Sequence, residues 1–223
     1  NPNRVYLVGA LGIDRIKGTK LFSKHQLEKK MKFKFGKKNI LLTYHSETLK
    51  KYSAKKDVKE IFISLRKLKD TKVIFTLPNA DSGSNEIYKM IKNFVKKDKK
   101  KYIAFKAMGD LIYLSTMKYS DIIIGNSSSG IIEAPSFKKP SINIGDRQAG
   151  RIKADSTVDC IANNLAISKI IKKVLSNTFQ KKILKIKNPY ELTNSTDKIF
   201  YILKKINAKN FLRKNFYDIK FHY

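Results

Sequence analysis

Short apolar runs recur along the chain, and the stretches between them carry apolar residues at helical spacing. The runs are Arg4–Val8, Asn39–Tyr44, Lys72–Leu77, Tyr102–Phe105, Asp121–Ile124, Ser141–Ile144 and Val158–Ile161. Each is short and rich in Ile, Val, Leu or aromatic residues, so each reads as a strand. Lys55–Leu68 places Val58, Ile61, Phe62 and Leu65 at i, i+3, i+4 and i+7, one helix face turned to a core. A helix from about Ser84 to Lys96 turns Ile87, Ile91 and Val95 the same way, and Gly109–Tyr119 and Asn164–Leu175 also read as helices. Ser23-Lys24-His25-Gln26 has capping-box spacing and opens a basic helix to about Met31. Gly9–Asp14 reads as a turn, Phe33–Lys38 as a loop, and Lys181–Pro189 as helical or irregular. A last helix runs from about Thr196 to Lys209, before a tail that keeps Phe211, Phe216, Tyr217, Ile219, Phe221 and Tyr223 among charges. No internal repeat or low-complexity linker interrupts the pattern.

Strands and helices thus alternate five or six times, and the strands are continuous rather than alternating apolar runs. That predicts an α/β, Rossmann-like parallel sheet with helices on both faces. Ligands in such sheets bind outside the carboxyl ends of the strands. His45, Asn79, Asp81, Ser127, Ser128 and Arg147 all fall at those ends.

One strand end stands out. Asp121–Ile124 empties into Gly125-Asn126-Ser127-Ser128-Ser129-Gly130-Ile131-Ile132-Glu133-Ala134-Pro135. The first N–H groups of a helix have no intrahelical partner, and its dipole favours an anion there. Small residues such as Gly130 let a phosphate approach the backbone, and Ser127 and Ser128 add hydroxyl donors. Glu133, about one turn further in, is placed to accept hydrogen bonds from vicinal ribose hydroxyls. The run also suits a plain serine N-cap, and it is neither a Walker A loop nor a GxGxxG fingerprint.

Composition narrows the partners. The chain has 223 residues, 42% of them apolar, enough for one or two domains with a real core. Its formal charge is +30, yet the excess is nearly all lysine spread over the whole length, with only Arg4, Arg15, Arg66, Arg147, Arg151 and Arg213. Arginine is the residue that reads phosphates and bases bidentately, so compositional drift and solvated helix faces explain the charge better than nucleic-acid recognition. The single Cys160 allows no disulfide and fits a reducing, cytoplasmic setting. No run approaches the roughly 18 apolar residues of a membrane span, and Arg4–Val8 is too short for a secretory signal. No cluster has metal-ligand spacing.

The run Gly125–Phe137, together with Ile142-Asn143-Ile144-Gly145-Asp146-Arg147-Gln148 and Gly150-Arg151, resembles the hydrolysing UDP-N-acetylglucosamine 2-epimerases of bacterial sialic-acid or legionaminic-acid synthesis. Phe75–Asp81 and Tyr44-His45-Ser46-Glu47-Thr48 fall at that family's spacing, and the likeness runs from Val8 to about Lys204. It implies the C-terminal half of a GT-B fold, with residues 1–193 as a Rossmann-like UDP-binding domain. Residues 194–223 would then be a closing helix and tail that pack on an N-terminal domain absent here. That absent half supplies the family's acid and base carboxylates, so this chain would bind nucleotide without turning it over.

By the same resemblance Ser127 and Ser128 contact the diphosphate, Glu133 clamps the ribose and Arg147 neutralises the diphosphate. Met108 offers backbone groups to uracil, Asn79 faces phosphate or sugar, and His45 supports departure of UDP. An imidazole beside a pyrophosphate would titrate at raised pH. Ser46-Glu47-Thr48, in place of the basic cluster of non-hydrolysing relatives, favours the hydrolysing branch. The implied partners are a UDP-sugar, the N-terminal domain and a second copy of the chain, with no metal or redox cofactor. His25 and His222 have no matching role. The rival reading is the nucleotide-sugar domain of a GT-B glycosyltransferase.

Overall fold

The structure, a computed structural model, describes residues 2–47, 54–79, 83–206 and 217–218. Asp81, His222 and all of the aromatic tail except Tyr217 lie outside the described residues. Six strands form one sheet: β1 (Lys38–Thr43), β2 (Thr71–Thr76), β3 (Tyr102–Phe105), β4 (Ile122–Gly125), β5 (Ser141–Ile144) and β6 (Thr157–Cys160). All neighbours are parallel, in the order β3-β2-β1-β4-β5-β6. The strand order reverses between β1 and β4, which makes that gap the topological switch point where such sheets hold ligands. Six of the seven apolar runs become strands, each within one residue of its expected bounds.

Alternate strand residues point to opposite faces, and each face has its own core. Leu42, Tyr44, Phe75, Ile124 and Ile144 pack under α3 (Ala54–Arg66), α4 (Ser84–Lys96) and α7 (Asn164–Val174). The α3 stripe of Val58, Ile61, Phe62 and Leu65 is buried there as its spacing predicts, and Phe62 stacks on Phe94 with ring centroids 3.9 Å apart. On α4 Phe94 takes the buried position and Val95 is only partly covered. Leu41, Ile74 and Ile123 face the other way, onto α2 (Lys24–Met31) and α5 (Asp110–Tyr119). The capping box that opens α2 is present: the Gln26 N–H donates to Ser23 Oγ at 3.3 Å, and the Ser23 N–H to Gln26 Oε1 at 3.0 Å.

The N-terminus departs from the sequence reading. Arg4–Val8 is not a strand: Pro2–Arg4 forms a single 3-10 turn, and no regular element follows until residue 11. Val5, Tyr6 and Leu7 are exposed. A strand needs a neighbour to hydrogen-bond, and among the described residues this segment pairs with neither edge of the sheet. The expected turn at Gly9–Asp14 is instead the start of a helix, α1 (Leu11–Gly18), entered through Gly9 at φ +89°. After α6 (Ser129–Ile132) and α8 (Asn177–Leu184), the last helix is α9 (Ser195–Lys205). Asp14 of α1 ties to its start, accepting from the Thr196 N–H at 2.7 Å and hydroxyl at 2.9 Å.

Candidate functional site

At the switch point the two central strands come unusually close. β1 and β4 stay in register as far as Thr43 opposite Gly125. Gly125 has φ +135°, and a Cβ there would overlap the Thr43 carbonyl oxygen and stand 2.6 Å from its carbon. Only glycine allows that approach. It delivers Asn126, wholly buried, against the chain that leaves β1.

The Asn126 amide takes over where the backbone ladder stops. The His45 N–H donates to Asn126 Oδ1 at 2.8 Å, and Asn126 Nδ2 donates to the His45 carbonyl at 2.9 Å. Nδ2 also reaches Glu47 Oε1 at 3.4 Å. His45 itself is only 6% exposed. Its Nδ1 accepts the Asn79 N–H at 3.4 Å, a contact that favours the tautomer with its proton on Nε2. His45 and Asn79, predicted on separate strand ends, are thus brought together. One residue before His45, the Tyr44 hydroxyl donates to Asp57 Oδ2 on α3 at 2.6 Å, and burial pushes that phenol well above its usual range.

Beyond Asn126 the chain makes the serine loop. α6 is a single turn of four residues, followed by a 3-10 turn at Ala134–Phe137. So short a helix adds little dipole, and the loop's attraction for an anion rests on individual donors. The N–H groups of Ser127 and Ser128 have no hydrogen-bond partner among the described residues. Beneath them a hydroxyl cluster holds the loop: Tyr113 bonds to Ser129 Oγ, which lies 3.2 Å from Ser127 Oγ. Gly130 is turned inward; its N–H donates to the Ser127 carbonyl at 3.2 Å, and a Cβ there would face Ser141 and Ile123.

Glu133 follows α6, half-buried, with Oε2 sealed from solvent and no partner. Burial raises its carboxyl above the usual range. Gly12 of α1 stands opposite, close enough that a Cβ there would lie 3.3 Å from Glu133 Oε1. Because α1 was not legible, that neighbour was not anticipated.

On the loop after β5, Arg147 is exposed and its Nη1 donates to the Asn126 carbonyl at 3.1 Å. Gln148, only 2% exposed, donates to the same oxygen from Nε2 at 2.8 Å. The sequence reading assigned neither Gln148 nor Asn126. Met108 sits past β3, away from this cluster, with its side chain in the core and its backbone at the same edge of the sheet. His25 is exposed on α2. Among the described residues no group of three or more His, Cys, Asp or Glu could hold a metal, and no helix is long and apolar enough to cross a membrane.

This constellation can hold an anion between the serine loop and Arg147, with the His45 imidazole and a buried carboxyl at either side. A profile of the UDP-N-acetylglucosamine 2-epimerase family matches residues 1–204. The chain is 38% identical over 217 residues to a GDP/UDP-N,N'-diacetylbacillosamine 2-epimerase (hydrolyzing) of Campylobacter jejuni, covering 97% of this chain and 56% of that protein. It is 36% identical over 223 residues to polysialic acid biosynthesis protein P7 of Escherichia coli, covering 98% and 56%. The chain therefore spans little more than half the length of these relatives. Among solved structures it is similar in fold to the Methanocaldococcus jannaschii UDP-GlcNAc 2-epimerase in complex with UDP-GlcNAc and UDP, with TM-score 0.67, 18% identity, and 92% and 56% of the two chains covered. The match over nearly the whole sequence, on a parallel sheet with its polar residues gathered at the switch point, shows that this chain belongs to the UDP-N-acetylglucosamine 2-epimerase family.

Proposed function

We propose that the chain is the UDP-binding half of a hydrolysing 2-epimerase acting on UDP-N-acetylglucosamine or a related UDP-sugar. The observation that carries this reading is the convergence of His45, the free N–H groups of Ser127 and Ser128, and Arg147 around one buried residue, Asn126. A diphosphate lies between the serine loop and Arg147, whose guanidinium keeps further N–H groups for phosphate oxygens. Gly130 seats the loop against the sheet, Glu133 takes the ribose hydroxyls, and the Met108 backbone meets uracil. His45 and Asn79 face the phosphate bonded to the sugar. With Nδ1 accepting the Asn79 N–H, His45 Nε2–H donates a hydrogen bond to the departing phosphate oxygen and so stabilises the charge that develops there.

In the reaction a base abstracts the proton at C2 of the sugar, the C1–O bond to UDP breaks on the opposite face, and a glycal forms. Water then adds across the glycal double bond, its oxygen to C1 and a proton to C2 with inversion. The products are UDP and free N-acetylmannosamine or the corresponding 2-epimer. The base belongs to an N-terminal half, against which α9 and the exposed Val5–Leu7 segment would pack. Homo-oligomerisation and a cytoplasmic setting accompany this reading.

The test is to join the chain to its N-terminal half and incubate it with UDP-N-acetylglucosamine alone. Free N-acetylmannosamine released one for one with UDP supports the proposal. A need for a second sugar acceptor contradicts it and favours a glycosyltransferase.

A further inference from the structure

We infer that Asn126 is the positioning residue that fixes His45 relative to the diphosphate loop. The inference rests on the UDP-binding reading above, and nothing in the sequence analysis gave this residue a part.

Asn126 is wholly buried, and every polar group it has is engaged. Its N–H donates to the Thr43 carbonyl at 3.1 Å. Its Oδ1 and Nδ2 hold the His45 N–H and carbonyl at 2.8 and 2.9 Å. Its own carbonyl receives Gln148 and Arg147 at 2.8 and 3.1 Å. The side chain thus continues the pairing of β1 with β4 one residue past the end of their ladder, on the residue whose imidazole the chemistry needs.

The chemistry of the side chain is specific. Without taking up a proton, only a primary amide presents a donor and an acceptor side by side, and both are required by a backbone N–H and carbonyl of the same residue. Aspartate at this reach keeps the acceptor, loses the donor and sets a negative charge against the His45 carbonyl and Glu47. Serine is too short to bridge, and glutamine is one methylene too long to keep both bonds in this register. Gln148 anchors the far side of Asn126, leaving Arg147 free to turn its remaining N–H groups outward. Histidine placement and diphosphate binding are thereby joined through one residue that touches neither ligand nor reacting atoms.

The experiment compares this chain with its Asn126→Asp variant by nitrogen-detected NMR of the imidazole rings and by calorimetric titration with UDP. The wild type should show His45 as the Nε2–H tautomer with Nδ1 accepting. In the variant that signature should be lost and UDP affinity should fall about tenfold, as for a buried polar group deprived of its partner. Far-UV circular dichroism and the urea midpoint should show the variant folded, which separates a local loss at His45 from general unfolding. If the aspartate variant does not fold, Asn126→Ser, which removes both partners without adding charge, is read in the same way. An unchanged His45 signature in a folded variant overturns the inference. Failure of the wild type to bind UDP would count against the proposed function instead, and the His45 signature would still decide the role of Asn126.

Discussion

Two glycines five residues apart should respond to alanine in opposite ways. In Gly125→Ala the new methyl meets the Thr43 backbone, 2.6 Å from its carbonyl carbon, in a central strand that cannot move aside. The residue also sits at φ +135°, where an L side chain is strained. Backbone strain of that kind costs about 1–3 kcal/mol, and overpacking a dense interior costs about 1–3 kcal/mol more. The loss should therefore be about 3 kcal/mol or larger, a large part of the roughly 5–15 kcal/mol that holds a domain folded. In Gly130→Ala the methyl meets Ser141 Cβ at 3.6 Å and Ile123 Cγ2 at 3.8 Å, ordinary contact, and φ is not positive. Removing glycine from a helical turn there should be neutral or stabilising by up to about 1 kcal/mol. Urea unfolding followed by circular dichroism reads both. With a slope of about 2 kcal/mol per molar, Gly125→Ala should lower the midpoint by about 1.5 M or more, and Gly130→Ala should not lower it. Equal midpoints for Gly125→Ala and wild type would refute the close approach of β1 and β4 on which the site is built.

Other outcomes follow from the same geometry. Burial raises the Glu133 carboxyl, so the stability associated with its neutral form is present below the ordinary carboxylate range and is lost as pH rises through the raised value. Glu133→Gln should then be more stable than wild type at neutral pH by on the order of 1 kcal/mol, with the gain vanishing near pH 4; equal pH–stability curves would contradict this. On the proposed ribose role of Glu133, the same variant should weaken UDP binding. On α9, Phe200, Tyr201 and Leu203 are 67%, 59% and 60% exposed, apolar surface of the kind that marks an interface. Co-expression with the N-terminal half should reduce the non-specific aggregation seen by light scattering, and unchanged scattering would argue that this surface faces elsewhere.

The fold was legible because its signals are repeated. The inner parallel strands, buried on both faces, leave continuous apolar runs, and the α3 stripe and the Ser23 capping box follow fixed spacings. The N-terminus was not, since Val5, Tyr6 and Leu7 look like a strand but face outward, and α1 is eight residues bracketed by glycines with one buried side chain, Ile13. Apolar residues kept for a surface carry the same letters as those kept for a core. The strand-end cluster was legible where its residue types are distinctive, as at His45, the serine loop and Arg147. Asn126 and Gln148 escaped because an amide beside glycine and serine reads as an ordinary turn residue. What distinguishes Asn126 is its place just past an inner strand at the reversal of strand order, which only the topology reveals.

The central claim is that the edge between His45 and Arg147 holds a uridine diphosphate. Calorimetric titration of this chain with UDP at moderate salt, beside AMP and beside the Arg147→Ala variant, tests it most directly. The account predicts saturable binding of UDP, little of AMP, and a loss of about 1–3 kcal/mol in the variant, the worth of a hydrogen bond to a charged group. Equal affinity for UDP and AMP, or an Arg147→Ala variant that binds UDP as well as wild type, would contradict it.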